Sequence, residues 1–392
     1  DTQSDEDSPT YPSTEGQLVL LRLLRDELAE LGLAEVTLDE HGYVTAAVPA
    51  TVAHEVPAIA FFAHVDTARE VSGAGVRPRR FRYQGGEIRL GESGQVLRPE
   101  ESPELARHVG HELITTDGTT LLGADDKAGV AEIVAAAAYL VAHPELPHGP
   151  VKVAFNPDEE IGRGVAHFPV ASFGAAAAYT VDGATAGELQ AETFSGVQVR
   201  LRIRGRAIHP GWAKGELVNA IKVAAGIVSR LPEGRLSPET TEGREGFVHP
   251  VLVRGDAAEV ELRFIARDFD EELLAEHVAF LRSLAAEAEA REPRCTIEVS
   301  ERLQYRNPRG ALERHPEIVA NLEEAIRRVG LEPRRTAIRG GTDGSALTEL
   351  GLPTANVFTG GHDAHSEREW ICVEDMGLAA ATLVELARVW AE

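Results

Sequence analysis

Cysteine is nearly missing from this 392-residue chain. Only Cys295 and Cys372 occur, in no paired spacing, which speaks against a disulfide framework and against a thiolate zinc site. Any metal is then expected on histidine and carboxylate. Basic charge is scarce too: 39 Lys and Arg stand against 63 Asp and Glu, for a net charge of −24. The basic footprint of a nucleic-acid or anionic-membrane binder is therefore absent. Long apolar runs are lacking as well. The longest, "VAEIVAAAAYLVA", contains Glu132 and is too short to span a bilayer. No signal-peptide pattern precedes "DTQSDEDSP", so a cytoplasmic location is expected. The chain also has no initiator methionine, and a missing N-terminal stretch is expected. Repeats are absent.

What is present is ordinary for a globular protein: 43% hydrophobic and 26% charged residues, in a chain long enough for two domains. "GQLVLLRLLRDELAELG" carries leucines at helical spacing and stops at Gly32. "AEVTLDEHGYVTAAVPA" reads as two strands around a turn. "VPAIAFFAHVD", "GPVKVAFNPDEE", "AAAAYTVDG" and "LPTANVFTG" read as further strands, with helices at "GVAEIVAAAAYLVAHP" and "CVEDMGLAAATLVELARVWAE". This alternation predicts an α/β domain with a mostly parallel sheet. From Phe194 to Leu303 the order is β-α-β-β-α-β, the ferredoxin-like pattern. The expected architecture is a larger domain of residues 1–193 and 304–392 with a smaller one, 194–303, inserted. Glu233 to Gly246 is the expected long loop.

Chemistry gathers where the strands end. In "FAHVDTA", His64 and Asp66 are two apart, so in an extended segment they share a face. Alone, such a pair reads more readily as a surface histidine and a turn cap than as a metal ligand whose ring a carboxylate fixes. "LLGADDKAG" adds Asp125 and Asp126, "NPDEEIGRG" adds Glu159 and Glu160, "TVDGATAG" adds Asp182, and "TGGHDAHSE" adds His362 and His365. Each is weak alone, since paired acids are usually solvated and Asp-Gly is usually a turn. In open α/β sheets, however, ligands bind outside the carboxyl ends of strands. Imidazole and carboxylate both suit zinc. Two zinc ions balance three ligating carboxylates and a bridging hydroxide, which leaves one carboxylic group as a base.

Taken in order, "DTQS", "STEGQ", "HVDTA", "LITTDGTTLLGADDKAG", "PDEEIGRG", "YTVDG", "HPG", "TEGREGF", "RDFD", "IRGGTDG" and "FTGG" cover nearly the whole chain. In these the sequence resembles the peptidase T family of tripeptide aminopeptidases, within the dinuclear zinc aminoacylases, carboxypeptidases and dipeptidases. The resemblance implies a zinc exopeptidase catalytic domain with a ferredoxin-like lid, two zinc ions per subunit and a small peptide substrate. It implies that His64 and Asp182 bind one zinc, His365 and Glu160 the other, and that Asp125 bridges them. Asp66 would orient His64, and Glu159 would be the general base. It further implies a cis bond between Asp125 and Asp126. His209 would steady the oxyanion, although before Pro210 it reads equally as a turn residue. Asn219, Arg267 and Arg339 would hold the peptide carboxylate. His362 is passed over, and Ala364 stands where relatives often carry an aromatic. A homodimer through the inserted domain is a further expectation. Other amide hydrolases of the superfamily, a non-catalytic peptide-binding relative and a metallophosphoesterase are the alternatives, with Glu159 arguing against the second and the inserted domain against the third.

Overall fold

The strand Ile59–His64 is buried at every position, and its neighbours explain the unbroken apolar run that precedes His64. A computed structural model, describing residues 1–392, places it between two parallel strands, Val151–Asn156 and Ala177–Gly183. Strands covered on both faces need no polar alternation. Thr354–Phe358 extends the parallel set, and antiparallel strands Val44–Val48 and Glu188–Thr193 flank it. The complete sheet has eight strands and is parallel at its centre.

Successive residues of the central strands face opposite cores. Phe61, Ala63, Val153, Phe155, Tyr179 and Val181 join the helices Glu15–Glu30, Ala124–Ala142, Pro316–Arg328 and Val373–Val389 on one side. Ala60, Phe62, Ala154 and Ala178 pack with Tyr43, Phe168 and Phe173 on the other. Helix Ala124–Ala142 comes so near the sheet that a Cβ on Gly129 would lie 1.9 Å from the Val181 carbonyl oxygen. A glycine is therefore required there. A small antiparallel sheet of Gly361–His362, Trp370–Cys372, Glu112–Thr115 and Arg79–Arg82 was not anticipated, because strands of two to four residues show no periodicity.

The chain divides into two compact units: Asp1–Ala191 with Pro308–Ala337 and Thr342–Glu392, and Glu192–Asn307 with Ile338–Gly341. The second holds four antiparallel strands in the order Phe247–Gly255, Glu259–Asp268, Ser195–Arg204, Thr296–Tyr305. Its helices are Ala220–Val228, capped by the Asn219 side chain, and Glu271–Arg291, capped by Asp270. Every second residue of Glu259–Asp268 is buried, as a sheet with one covered face requires. Residues 233–246 contain neither helix nor strand. The expected limits, 194 and 303, fall a few residues inside this unit. Ile338–Gly341 belongs to it because Phe194 N donates to the Ile338 carbonyl and Arg339 donates to the carbonyls of Thr241, Gly243 and Glu245. Arg339, expected with residues 304–392, thus sits in the second unit. No helix is long and apolar enough to cross a membrane.

Candidate metal centre

The carboxyl ends of the four central parallel strands deliver the donors. His64 closes Ile59–His64, Asp182 lies near the end of Ala177–Gly183, and Glu159 and Glu160 follow Val151–Asn156. His365 follows Thr354–Phe358, and Asp125 opens the helix Ala124–Ala142. The Asp125–Asp126 bond is cis. Two donor groups result, His64 with Asp125 and Asp182, and Asp125 with Glu160 and His365. Asp125 is common to both. Its Oδ1 lies 3.1 Å from His64 Nε2 and its Oδ2 3.3 Å from His365 Nε2, so each oxygen serves a different group. Asp182 Oδ1 stands 3.8 Å from His64 Nε2, and Glu160 Oε1 3.0 Å from His365 Nε2.

These separations test whether a metal fits. Tetrahedral bonds of about 2.0–2.1 Å put neighbouring ligand atoms about 3.3 Å apart. The four distances bracket that value. Glu160 Oε1 is buried without a hydrogen-bond partner despite His365 at 3.0 Å, as expected of two atoms aimed at a third point. The electrostatics agree. Burial opposes a charge on His64, yet Asp125 and Asp66 raise its pKa well above the usual imidazole value. Asp125 and then Glu160 pull His365 up to about 11. Burial pushes the carboxyls of Asp182 and Glu159 well above the carboxylate range, with neighbouring acids adding to it. So much negative charge in one place calls for a cation, and the residues present fit metal at either donor group, with Asp125 common to both.

The surroundings hold these donors by backbone bonds. Asp66 is fully buried; its Oδ1 lies 3.3 Å from His64 Nδ1 and accepts from Glu159 N at 3.0 Å, while its Oδ2 accepts from Glu160 N at 3.1 Å. One carboxylate therefore positions the imidazole and both glutamates. Asp126 Oδ2 accepts from His64 N at 3.1 Å. Between strand and glutamates the chain turns at Asp158, whose φ of 59° lies in the left-handed region. Ser13 N donates to the Asp158 carboxylate at 2.8 Å and Gln17 Nε2 at 2.7 Å, while Asp158 N donates to Gln17 Oε1 at 3.0 Å. This accounts for "STEGQ". "DTQS" runs beside the loop after His64, with Ser4 N donating to Thr67 O and Thr67 N to Thr2 O.

Residues 109–389 match the model of peptidase family M20/M25/M40. The chain belongs to this family. It is 49% identical over 392 residues to Peptidase T of Shouchella clausii (strain KSM-K16), covering 100% of this chain and 96% of that one. Identity to Peptidase T of Geobacillus sp. (strain WCH70) is 47%, over 100% and 95%. The solved structure of the aminopeptidase PepT from Bacillus cereus ATCC 10987 shares the fold, with a TM-score of 0.71 at 23% identity over 96% of this chain and 98% of that one. A dinuclear metal-binding M20 peptidase from Bacillus subtilis does so with a TM-score of 0.65 at 16% identity, over 96% and 92%. As an M20 member with this donor set, the chain is a metal-dependent peptidase.

Two residues that support the donors escaped the sequence reading. Glu369, 1% exposed, accepts from Leu122 N and Gly123 N at 2.7 Å and from Asp125 N at 2.9 Å, and so fixes the loop that presents Asp125. Asp343 accepts from Asn156 Nδ2 and lines one small pocket with His64, Glu159 and Asp182. No sequence spacing signals either contact. His362 belongs to neither donor group and stacks on Trp370 at 4.3 Å.

The four residues expected to bind substrate all lie in the second unit. His209 is exposed, and its Nδ1 accepts from Gly211 N at 3.1 Å, a turn-stabilising bond before Pro210. The Asn219 oxygen caps a helix by accepting from Ile221 N and Lys222 N. Arg339 spends its terminal nitrogens on the loop carbonyls described above and on Thr241 Oγ1. Both terminal nitrogens of Arg339 are thus engaged within the second unit. Arg267 lies between the rings of Phe247 and Tyr305, 5.8 and 5.7 Å from their centres, and its Nε has no hydrogen-bond partner. Of the four it keeps most donor capacity.

Proposed function

We infer that this metallopeptidase releases the N-terminal residue of tripeptides, using two zinc ions held by His64 and Asp182, by His365 and Glu160, and by Asp125 between them. The observation that carries the reading is the pair of donor groups sharing Asp125, in a chain nearly half identical along its length to proteins named Peptidase T. Bound there, zinc supplies Lewis-acid polarisation of the scissile carbonyl and acidifies the attacking water. The chain's own residues do the rest. Glu159, in the same small pocket as His64 and Asp182, takes a proton from the attacking water and gives it to the departing amine nitrogen. Asp66 keeps His64 in one orientation and holds Glu159 and Glu160 by their backbones.

We assign the second unit the ferredoxin-like architecture and a lid's role in substrate recognition, with Arg267 as the fork for a peptide carboxylate and His209 as the oxyanion donor. A charged fork measures peptide length, because a misplaced carboxylate is left desolvated and unpaired. Self-association through this unit belongs to the same reading: its edge strand Phe247–Gly255 exposes Val251 and Val253. The cytoplasm is the proposed compartment, which suits two unpaired cysteines. One tripeptide offered free, N-acetylated and C-amidated tests the substrate. The free form is expected to be cleaved fastest and the N-acetylated form scarcely at all. Faster cleavage of the N-acetylated form would move the chain to a carboxypeptidase or aminoacylase activity.

A further inference from the structure

A second cluster of donors, sharing no residue with the carboxylate-rich centre, surrounds Cys372. The 3-10 helix Pro103–His108 ends in a turn in which His111 N donates to the His108 carbonyl and Gly110 takes a φ of 93°. That turn sets the two imidazoles side by side, with His108 Nδ1 3.4 Å from His111 Nδ1. Cys372 pairs across the small sheet with Leu113, which brings its thiol to 3.7 Å from the same His111 Nδ1. One imidazole nitrogen offers either one N–H or one lone pair, along one direction. His111 Nδ1 therefore cannot hydrogen-bond His108 and the thiol together. A cation at the common point satisfies all three atoms.

The distances agree with that occupant. Zinc bonds of about 2.3 Å to sulfur and about 2.0–2.1 Å to nitrogen put tetrahedral N and N about 3.3 Å apart and N and S about 3.6 Å apart. The observed values are 3.4 and 3.7 Å. The far side of His108 is also prepared. Its Nε2 lies 3.6 Å from Asp375 Oδ2, and both atoms are buried without a hydrogen-bond partner. A carboxylate behind a ligating imidazole fixes its tautomer and orientation. Glu374 Oε2, 3.6 Å from Cys372 Sγ, offers a fourth donor.

We propose that His108 Nδ1, His111 Nδ1 and Cys372 Sγ bind one divalent cation of zinc's borderline-soft chemistry, in a closed site that ties the His108–His111 turn to the strand Trp370–Cys372. Binding converts the thiol to thiolate, and its proton leaves to solvent. The proposal departs from the expectation that metal is held on histidine and carboxylate alone.

Cobalt(II) added to the metal-stripped full chain tests the proposal through its spectrum, since only a sulfur ligand gives a thiolate-to-cobalt charge-transfer band. The wild type and His365→Ala should both show the band, with a final intensity that corresponds to one cobalt–thiolate bond per chain. Cys372→Ser should abolish it, and His111→Ala should weaken cobalt binding at that site by about tenfold or more. Circular dichroism checks that each variant folds. Should Cys372→Ser fail to fold, the half-exposed His111→Ala carries the test. Absence of the band in the wild type, its persistence in Cys372→Ser, or unchanged affinity in His111→Ala overturns the proposal.

Discussion

Acidic side chains do different work on the surface of the second unit and at the strand ends of the first. On the second, Glu261, Glu259, Glu287 and Glu301 lie beside Arg200, Arg202, Arg230 and Arg282, at or near the solvent. In the first, Asp66, Asp125, Asp126, Asp158, Glu160, Asp182, Asp343 and Glu369 gather around the strand ends, and none is paired with an arginine. They accept N–H groups of the backbone or of amide side chains, or face histidine, instead. A surface ion pair is worth roughly 0–1 kcal/mol, because water already solvates both partners. Buried carboxylates have no such relief and need either protons or a cation. The total of 63 acidic residues therefore says little about function, and the placement of these eight says a great deal.

The contrast breaks most visibly at Asp125. Asp125→Asn should release metal from both donor groups and lower turnover by more than the roughly 10–100-fold typical of losing a group that only supports a ligand. Glu261→Gln, on the second unit, should change neither metal content nor turnover. Asp66→Asn should fall within that 10–100-fold range in metal affinity or turnover, because the ligand His64 remains while its orientation is lost.

Asp343 gives the contrast a pH signature. Burial lifts its carboxyl from 3.8 to about 7, so between those values the folded chain keeps a proton that the unfolded chain releases. Its contribution to stability is complete below pH 3.8 and is lost as pH rises towards 7. In metal-stripped protein, denaturant unfolding should show a falling slope of at most about 1.4 kcal/mol per pH unit from this group, and Asp343→Asn should flatten it. The smallest effect belongs to the surface. Arg282→Ala should cost under about 1 kcal/mol in the same measurement and lose most of that effect in high salt.

Much of the central sheet was legible because its strands are continuous apolar runs that end in chemically unusual residues. His64, Asp125, Glu160, Asp182 and His365 stood out at those ends, and the structure brings them into two touching groups. What holds them there was not legible. Glu369 reaches Asp125 across 244 residues, and Gln17 reaches Asp158 across 141. Such contacts leave no periodicity to read. "STEGQ" and "DTQS" were visible as motifs, but their bonds to Asp158 and Thr67 required the fold. The His108, His111 and Cys372 cluster was hidden for the same reason, with His111 and Cys372 261 positions apart in sequence and no second cysteine nearby to suggest a site. Arg339 shows the converse: its motif was conspicuous, and what the fold adds is the set of bonds from its guanidinium to the loop of Thr241, Gly243 and Glu245.

The central claim is that adjacent glutamates divide the labour, Glu160 holding metal and Glu159 moving protons. Metal content and tripeptide turnover, measured on one preparation of Glu159→Gln, test it most directly. The account predicts the same number of ions per chain as in the wild type, with turnover reduced by at least the ~10²–10⁴-fold contributed by a general base. Wild-type turnover, or loss of an ion together with turnover, would contradict it.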